Sequence, residues 1–234
     1  MVPEIFMLTG VRRHNPSLWL RSSPFHFGLY WLAGFIGLLI AGASAEALGT
    51  PVETNVAGLT GVLATVTTIA GVVGFVLMGT GALALLLRRL GNPALRAHST
   101  AADICNLLCF LSAAVLGLLA FGLADPDFSL LRGFIRGLLT LQPPSDLPAL
   151  VVAEIVLGSA LIAYIPLTHM SHFFTKWFMY HDVRWNAEVN RVGSKLEAAI
   201  GRQLGFKVSW NAAHIRGGGK KTWVDVATEE VAKQ

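Results

Sequence analysis

Residues 150–185 read LVVAEIVLGSALIAYIPLTHMSHFFTKWFMYHDVRW, and this stretch decides the fold. From Ala149 to Phe174 the chain contains one carboxylate, Glu154, and no Lys or Arg. At about 1.5 Å per residue, a helix of this length is longer than the roughly 30 Å hydrocarbon core of a bilayer. The sequence therefore predicts a membrane-spanning helix over residues 149–174.

Two histidines lie near the end of this predicted helix, just before Lys176. An imidazole close to hydrocarbon costs free energy unless a partner holds it. His169 or His172 is therefore a candidate axial ligand of a haem iron, which neutral imidazole commonly binds. The alternative is that both side chains are hydrated in the headgroup layer. Residues three apart on a helix point about 60° apart, so these two cannot bind one iron from opposite sides, and a second ligand must come from elsewhere.

The composition is that of a membrane protein, with 53% hydrophobic and only 14% charged residues. Three further apolar segments are long enough to span a bilayer, at residues 24–45, 59–87 and 101–122. The predicted fold class is an all-α integral membrane protein with four transmembrane helices. Although the net charge is +4, the basic residues lie outside these segments, where they set membrane orientation, so we expect no nucleic-acid partner.

The distribution of basic residues predicts the orientation. Sixteen of the eighteen Lys and Arg lie in residues 1–23, in the 88–100 link and after residue 174. Cytoplasmic segments carry an excess of Lys and Arg, so both termini are predicted to be cytoplasmic. The other two, Arg132 and Arg136, lie four apart in FSLLRGFIRGLLTL, which predicts an amphipathic helix along the outer surface between the third and fourth spans.

Three domains follow from this organisation. Residues 1–23 are a predicted cytoplasmic leader, residues 24–174 the transmembrane domain, and residues 175–234 a cytoplasmic tail. The tail is polar and mixed in charge, with a predicted helix over residues 186–205. We favour a tail that docks on a soluble partner over a disordered tail.

The second ligand is predicted from the topology. With four crossings, the start of the first span and the end of the fourth lie on the same side of the membrane, so His26 and His172 share one depth. Two histidines give six-coordinate iron, which suits electron transfer. Glu154 lies eighteen residues, or five helical turns, before His172 on the same predicted helix face. All seven histidines fall at or beyond the cytoplasmic boundary, so Glu154 is predicted to be a quinone or proton group, or else a packing residue.

Four short motifs carry a family resemblance, namely FHFG at 25–28, RAHSTAAD at 96–103, EIVLG at 154–158 and PLTHMSHFF at 166–174. Through them residues 22–185 resemble the cytochrome b subunit of respiratory nitrate reductase, the gamma subunit (NarI) family. The resemblance implies haem b held by His26 and His172, with His169 as the alternative to His172. At the positions of the family's outer haem ligands this chain has Ile36 and Glu154, which implies one haem. It also implies four helices where the nitrate enzyme has five.

The tail sequence VSWNAAHIRGGGKKTWVDVATEE, at 208–230, is similar to the DsrM, TmcC and HdrE type of this family. The partners of that type are cytoplasmic iron-sulfur subunits related to heterodisulfide reductase. The resemblance implies a multi-pass subunit of the prokaryotic cytoplasmic (inner) membrane that passes electrons between menaquinone and such a partner. Other membrane or periplasmic redox subunits are compatible with it, and no catalytic residue is predicted.

Two alternatives have no redox group: a transporter or channel subunit, and a structural anchor that recruits a soluble enzyme. A transporter predicts polar residues and broken helices at the midplane of the bilayer, and apart from Glu154 the predicted spans contain few polar residues.

Overall fold

The computed structural model describes residues 6–142, 144, 146–168, 189–209 and 218–229. The chain forms two compact units, Met1–Thr175 and Lys176–Gln234. Within the described residues the first unit is helical and the second contains two short helices. We number these helices in chain order: α1 (Thr9–His14), α2 (Pro16–Ala47), α3 (Leu59–Gly91), α4 (Pro93–Ala97), α5 (Ala101–Leu123), α6 (Ser129–Thr140), α7 (Ala149–Tyr164), α8 (Lys195–Leu204) and α9 (Trp223–Thr228).

Four segments of the first unit are long and apolar enough to cross a membrane. They are α2, α3, α5, and α7 together with the 3₁₀ turn Ile165–Leu167 that follows it. The prediction of four transmembrane helices is confirmed. The described residues form no β-strand, and they contain one isolated bridge, between Lys207 and Thr222 in the second unit.

The first long helix begins at Pro16, eight residues before the predicted start at Pro24. Asn15 caps it, because its side chain accepts a hydrogen bond from the backbone N–H of Leu18 at 2.9 Å. Pro16 occupies the first turn, where a missing N–H costs nothing. Part of the predicted leader is therefore helical and continuous with the first span.

The fourth long helix ends earlier than predicted. Its α-helical part stops at Tyr164, and Thr168 has extended backbone angles (φ −118°, ψ 169°). Pro166 has no N–H to continue the helical hydrogen bonds. The prediction of one continuous α-helix to Phe174 is therefore wrong, because the helix ends before Thr168, and His172 itself lies outside the described residues.

Helices α2 and α3 pack with their backbones in close approach. A Cβ on Gly81 of α3 would overlap the backbone nitrogen of Phe25, and a Cβ on Gly28 of α2 would overlap that of Met78. Small residues allow this approach in membranes, where van der Waals packing holds helices together. Further packing joins α3 to α5, α2 to α6 and α5 to α7.

An aromatic cluster fills the interior between these helices. Phe25 of α2 lies edge-on to Phe110 of α5, with ring centroids 5.2 Å apart. Phe128, just before α6, is fully buried and lies 4.7 Å from Phe35 and 5.4 Å from Phe121. The short helix α6 is thereby anchored to the bundle by the residue that precedes it.

We predict that Gly81→Ala lowers the free energy of unfolding by about 2 kcal/mol or more, because the added methyl group would push α2 and α3 apart. The matched control is Gly37→Ala, where an added Cβ would meet no atom within 4 Å. This control should raise stability by up to about 1 kcal/mol through helix propensity. Thermal unfolding in detergent compares the two, and equal midpoints would contradict the packing described here.

Candidate functional site

The first unit has two ends of different character. We call one the His26 end, because it is the end nearer to His26, which lies ten residues into α2; there the start of α2, the end of α3 and the start of α5 are found. There Arg89 lies 3.6 Å from Asp103, which also completes the capping box of α5 with Thr100. We call the other the Arg132 end, where α2 ends, α6 lies and α7 begins.

The ring of His26 is partly buried and held by the preceding helical turn. Its Nδ1 lies 2.9 Å from the carbonyl oxygen of Ser22 and 3.2 Å from the hydroxyl of the same residue. A carbonyl oxygen only accepts hydrogen bonds, so the contact with the Ser22 carbonyl is a hydrogen bond in the tautomer that carries its proton on Nδ1, in which Nε2 has the lone pair. Metal-binding histidines usually have this arrangement, in which the second nitrogen donates to a carbonyl. His26 therefore fits the role of an axial ligand to iron.

The predicted partners of His26 lie outside the described residues, because these end at Thr168 before the next described segment begins at residue 189. The pairing of His26 with His172, or with His169, stays a prediction. In the described part of the chain no three His, Cys, Asp or Glu side chains lie close enough to hold a metal ion. Extensive packing joins α7 to α5, and among the described residues no comparable interface joins α7 to α2.

Glu154 is mostly buried in α7, close to the Arg132 end. Its Oε1 is enclosed and has no hydrogen-bond partner among the described residues. The nearby carboxylate of Asp125, in contrast, is satisfied by the backbone N–H groups of Leu130 (3.1 Å) and Leu131 (2.9 Å) and by the hydroxyl of Ser129 (3.3 Å). A carboxyl group in a membrane helix with a buried oxygen that has no hydrogen-bond partner is a candidate functional group.

A buried hydrogen bond between α5 and α7 was not predicted from the sequence. The hydroxyl of Tyr164 donates to the Oδ1 of Asn106 at 2.8 Å, and Asn106 is buried. This bond fixes the end of α7 from which the chain continues toward His169 and His172. An asparagine inside an apolar helix is the signal that could have identified it.

Arg132 lies inside the protein, although the sequence predicted it on the outer surface. It is 2% exposed; its Nε donates to Glu46 at 2.6 Å and its Nη2 donates to the carbonyl of Val52 at 2.6 Å. Gly42 leaves room for its side chain, because a Cβ there would lie 2.8 Å from the Cδ of Arg132. Arg136, half exposed, lies 3.7 Å from the other Glu46 oxygen. The arginine-bearing face of α6 therefore meets α2.

We predict that Glu46→Ala lowers the free energy of unfolding by about 3–5 kcal/mol, because it leaves the buried Arg132 charge without its partner. The double variant Glu46→Ala with Arg132→Met should recover part of this loss, since no buried charge remains. Arg136→Gln is the control and should cost less than about 1 kcal/mol, as expected for an exposed ion pair. Chemical unfolding in detergent measures all three, and a small effect of Glu46→Ala would contradict the buried pair.

These features define a multi-pass helical membrane protein with a partly buried histidine that is hydrogen-bonded to the preceding turn of its helix. The family model of the nitrate reductase gamma subunit matches residues 13–189, about three quarters of the chain. The chain belongs to the nitrate reductase gamma subunit family. Comparison with curated proteins and with solved structures gave no match.

Members of this family are haem-containing membrane subunits that transfer electrons in quinone-linked oxidoreductases, and they typically bind haem b. The family associates with catalytic redox subunits. The resemblance inferred from the four motifs is confirmed at this level. The finer assignment to the DsrM, TmcC and HdrE type stays a prediction.

Proposed function

We propose that this protein is a haem b membrane subunit that transfers electrons between menaquinone and a cytoplasmic iron-sulfur subunit related to heterodisulfide reductase. The observation that carries the proposal is the 2.9 Å contact between the Nδ1 of His26 and the carbonyl oxygen of Ser22, which is the usual arrangement of a histidine that binds a metal through Nε2. The family match supports haem iron as the metal that this nitrogen binds, since haem b is the typical cofactor of this family. The protein works in a prokaryotic cytoplasmic membrane, with both termini in the cytoplasm.

One haem b is held by His26 and His172, with His169 as the alternative to His172. When bound, the haem supplies a one-electron redox centre, and two histidine ligands favour electron transfer over oxygen chemistry. The residues of this chain bind and orient it: Ser22 holds the ring of His26, and the bond from Tyr164 to Asn106 holds the end of α7. The limited packing between α2 and α7 in the described residues is compatible with a flat group between them.

Glu154 is the proposed proton group for the quinone reaction. Oxidation of a quinol releases two protons, and a buried carboxyl group can accept one where water has limited access. The unpartnered Oε1 of Glu154 supports this role, because a residue that served only in packing would be expected to satisfy its oxygen atoms. No other charged side chain lies in α7.

The second unit is the proposed docking segment for the iron-sulfur subunit. In its described residues, Val208 is buried and its backbone N–H donates to the carbonyl of Lys221 at 2.9 Å. Hydrogen bonds from the backbone N–H and the hydroxyl of Thr222 lower the pKa of Asp225, so this carboxylate caps α9 at neutral pH. Exposed apolar side chains of the same unit, including Val192 and Phe206, are the proposed contact residues for a partner.

We predict that His26→Ala and His172→Ala each abolish the reduced b-type spectrum of the purified protein, because each removes one of two iron ligands. The matched control is His98→Ala. The Nδ1 of His98 also lies 2.9 Å from a carbonyl oxygen, that of Ala94, but His98 is exposed at the end of α4. The His98→Ala variant should therefore leave the spectrum unchanged.

His169→Ala separates the two candidate partners of His26. If His172 is the ligand, the haem content of the His169 variant should stay near one per chain. Normal haem content in His26→Ala would contradict the ligand assignment. If the wild-type protein shows no b-type spectrum even after haem has been added and the excess removed, the non-redox anchor or transporter function is favoured instead.

We predict that Glu154→Gln slows reduction of the haem by a menaquinol analogue by about tenfold or more, with normal haem content, because the amide cannot accept a proton. Glu53→Gln at an exposed position is the control and should leave the rate unchanged. Stopped-flow absorbance of the reduced haem band gives both rates. An unchanged rate in Glu154→Gln would assign this residue to packing.

A further inference from the structure

We propose that Ser22 is a positioning residue for the iron site, which fixes the tautomer of His26 and lowers the reduction potential of the haem. The inference rests on the proposed function, in which His26 binds iron through Nε2. It adds a residue that neither the four family motifs nor the sequence pattern singled out.

Two oxygen atoms of Ser22 lie within hydrogen-bond distance of the Nδ1 of His26, and in the tautomer protonated at Nδ1 both accept from that proton. The Nδ1 of His26 lies 2.9 Å from the carbonyl oxygen of Ser22 and 3.2 Å from its hydroxyl oxygen. Such a shared hydrogen bond holds the ring in one orientation and with one nitrogen protonated. It exists because α2 begins at Pro16, which makes residue 22 helical and places it one turn before His26.

The hydroxyl is the specific part of this arrangement. His98 shows that a histidine can bond to the carbonyl four residues earlier without further help, since its Nδ1 lies 2.9 Å from the carbonyl of Ala94. Residue 94 has no hydroxyl, and His98 lies in an exposed link. At His26 the same backbone contact is reinforced by a side chain, at the position where the proposed function requires a ligand.

The electronic consequence follows from the direction of the hydrogen bond. Acceptors on Nδ1–H draw its proton away and give the imidazole more anionic character, which raises its basicity as a ligand. A more basic ligand stabilises ferric iron relative to ferrous iron, and hydrogen bonding around the ligands is one of the means by which proteins set haem potentials. Removing the hydroxyl should therefore shift the potential upward while the backbone carbonyl keeps the tautomer.

The test is a redox titration of the purified, haem-loaded full chain. Ser22→Ala should favour ferrous iron by about fivefold, a positive shift of about 40 mV at 59 mV per tenfold change. Ser22→Thr keeps the hydroxyl and should retain the wild-type potential. Ser44→Ala is the matched control, because the Ser44 hydroxyl bonds to the carbonyl of Ile40 at 2.7 Å near the other end of the same helix. An unchanged potential in Ser22→Ala, or an equal shift in Ser44→Ala, overturns the inference.

A second measurement separates this inference from the proposed function. In haem-free protein labelled with ¹⁵N-histidine, NMR should show His26 protonated at Nδ1, with a signal that changes in Ser22→Ala and not in Ser44→Ala. If His26→Ala keeps its haem, the proposed ligand is wrong, and with it the link from Ser22 to the iron. If His26→Ala loses its haem, but the NMR signal of His26 and the haem potential are the same in Ser22→Ala as in the wild type, only the positioning role fails.

Discussion

The close approach of α2 and α3 at glycine is the constraint on which the rest of the first unit depends. Within a bilayer there is no hydrophobic force to press two apolar helices together, so van der Waals packing between complementary helix surfaces has to stabilise the pair. Gly81 lets the backbone of α2 touch α3 at Phe25, and Phe25 in turn packs against Phe110 of α5. His26 is the next residue in the chain, so the packing that holds three helices together also fixes the site of the proposed iron ligand.

The opposite end is closed by a different interaction. There the buried pair of Arg132 and Glu46 joins α6 to α2, and Phe128 inserts into the aromatic cluster. Asp125 caps the start of α6 with its carboxylate, which leaves the neighbouring carboxyl of Glu154 without a comparable set of donors. In the described part of the chain, the two buried side-chain atoms without hydrogen-bond partners belong to Arg132 and Glu154, both at this end. Buried charged side chains are therefore concentrated at the Arg132 end of the described bundle.

This separation bears on the proposed function. Electron transfer is assigned to the His26 end and proton transfer to Glu154, close to the Arg132 end of α7. In the proposed function, electrons from a quinol oxidised beside Glu154 pass to a haem bound at His26. The proposed proton group and the proposed iron ligand thus lie on different helices of one chain, α7 and α2.

The sequence by itself determined the number of spans, because hydropathy over some twenty residues is a local property that needs no tertiary partner. It also determined the family, through short motifs whose residues are neighbours in the chain, and one of these motifs led to the prediction that His26 binds iron. Only the tertiary structure decided that Arg132 is buried, because its partner Glu46 lies 86 residues away. The bond between Tyr164 and Asn106 likewise joins residues 58 apart. Hydropathy is insensitive to such pairs, because it records whether a side chain is polar and does not record which other side chain satisfies it.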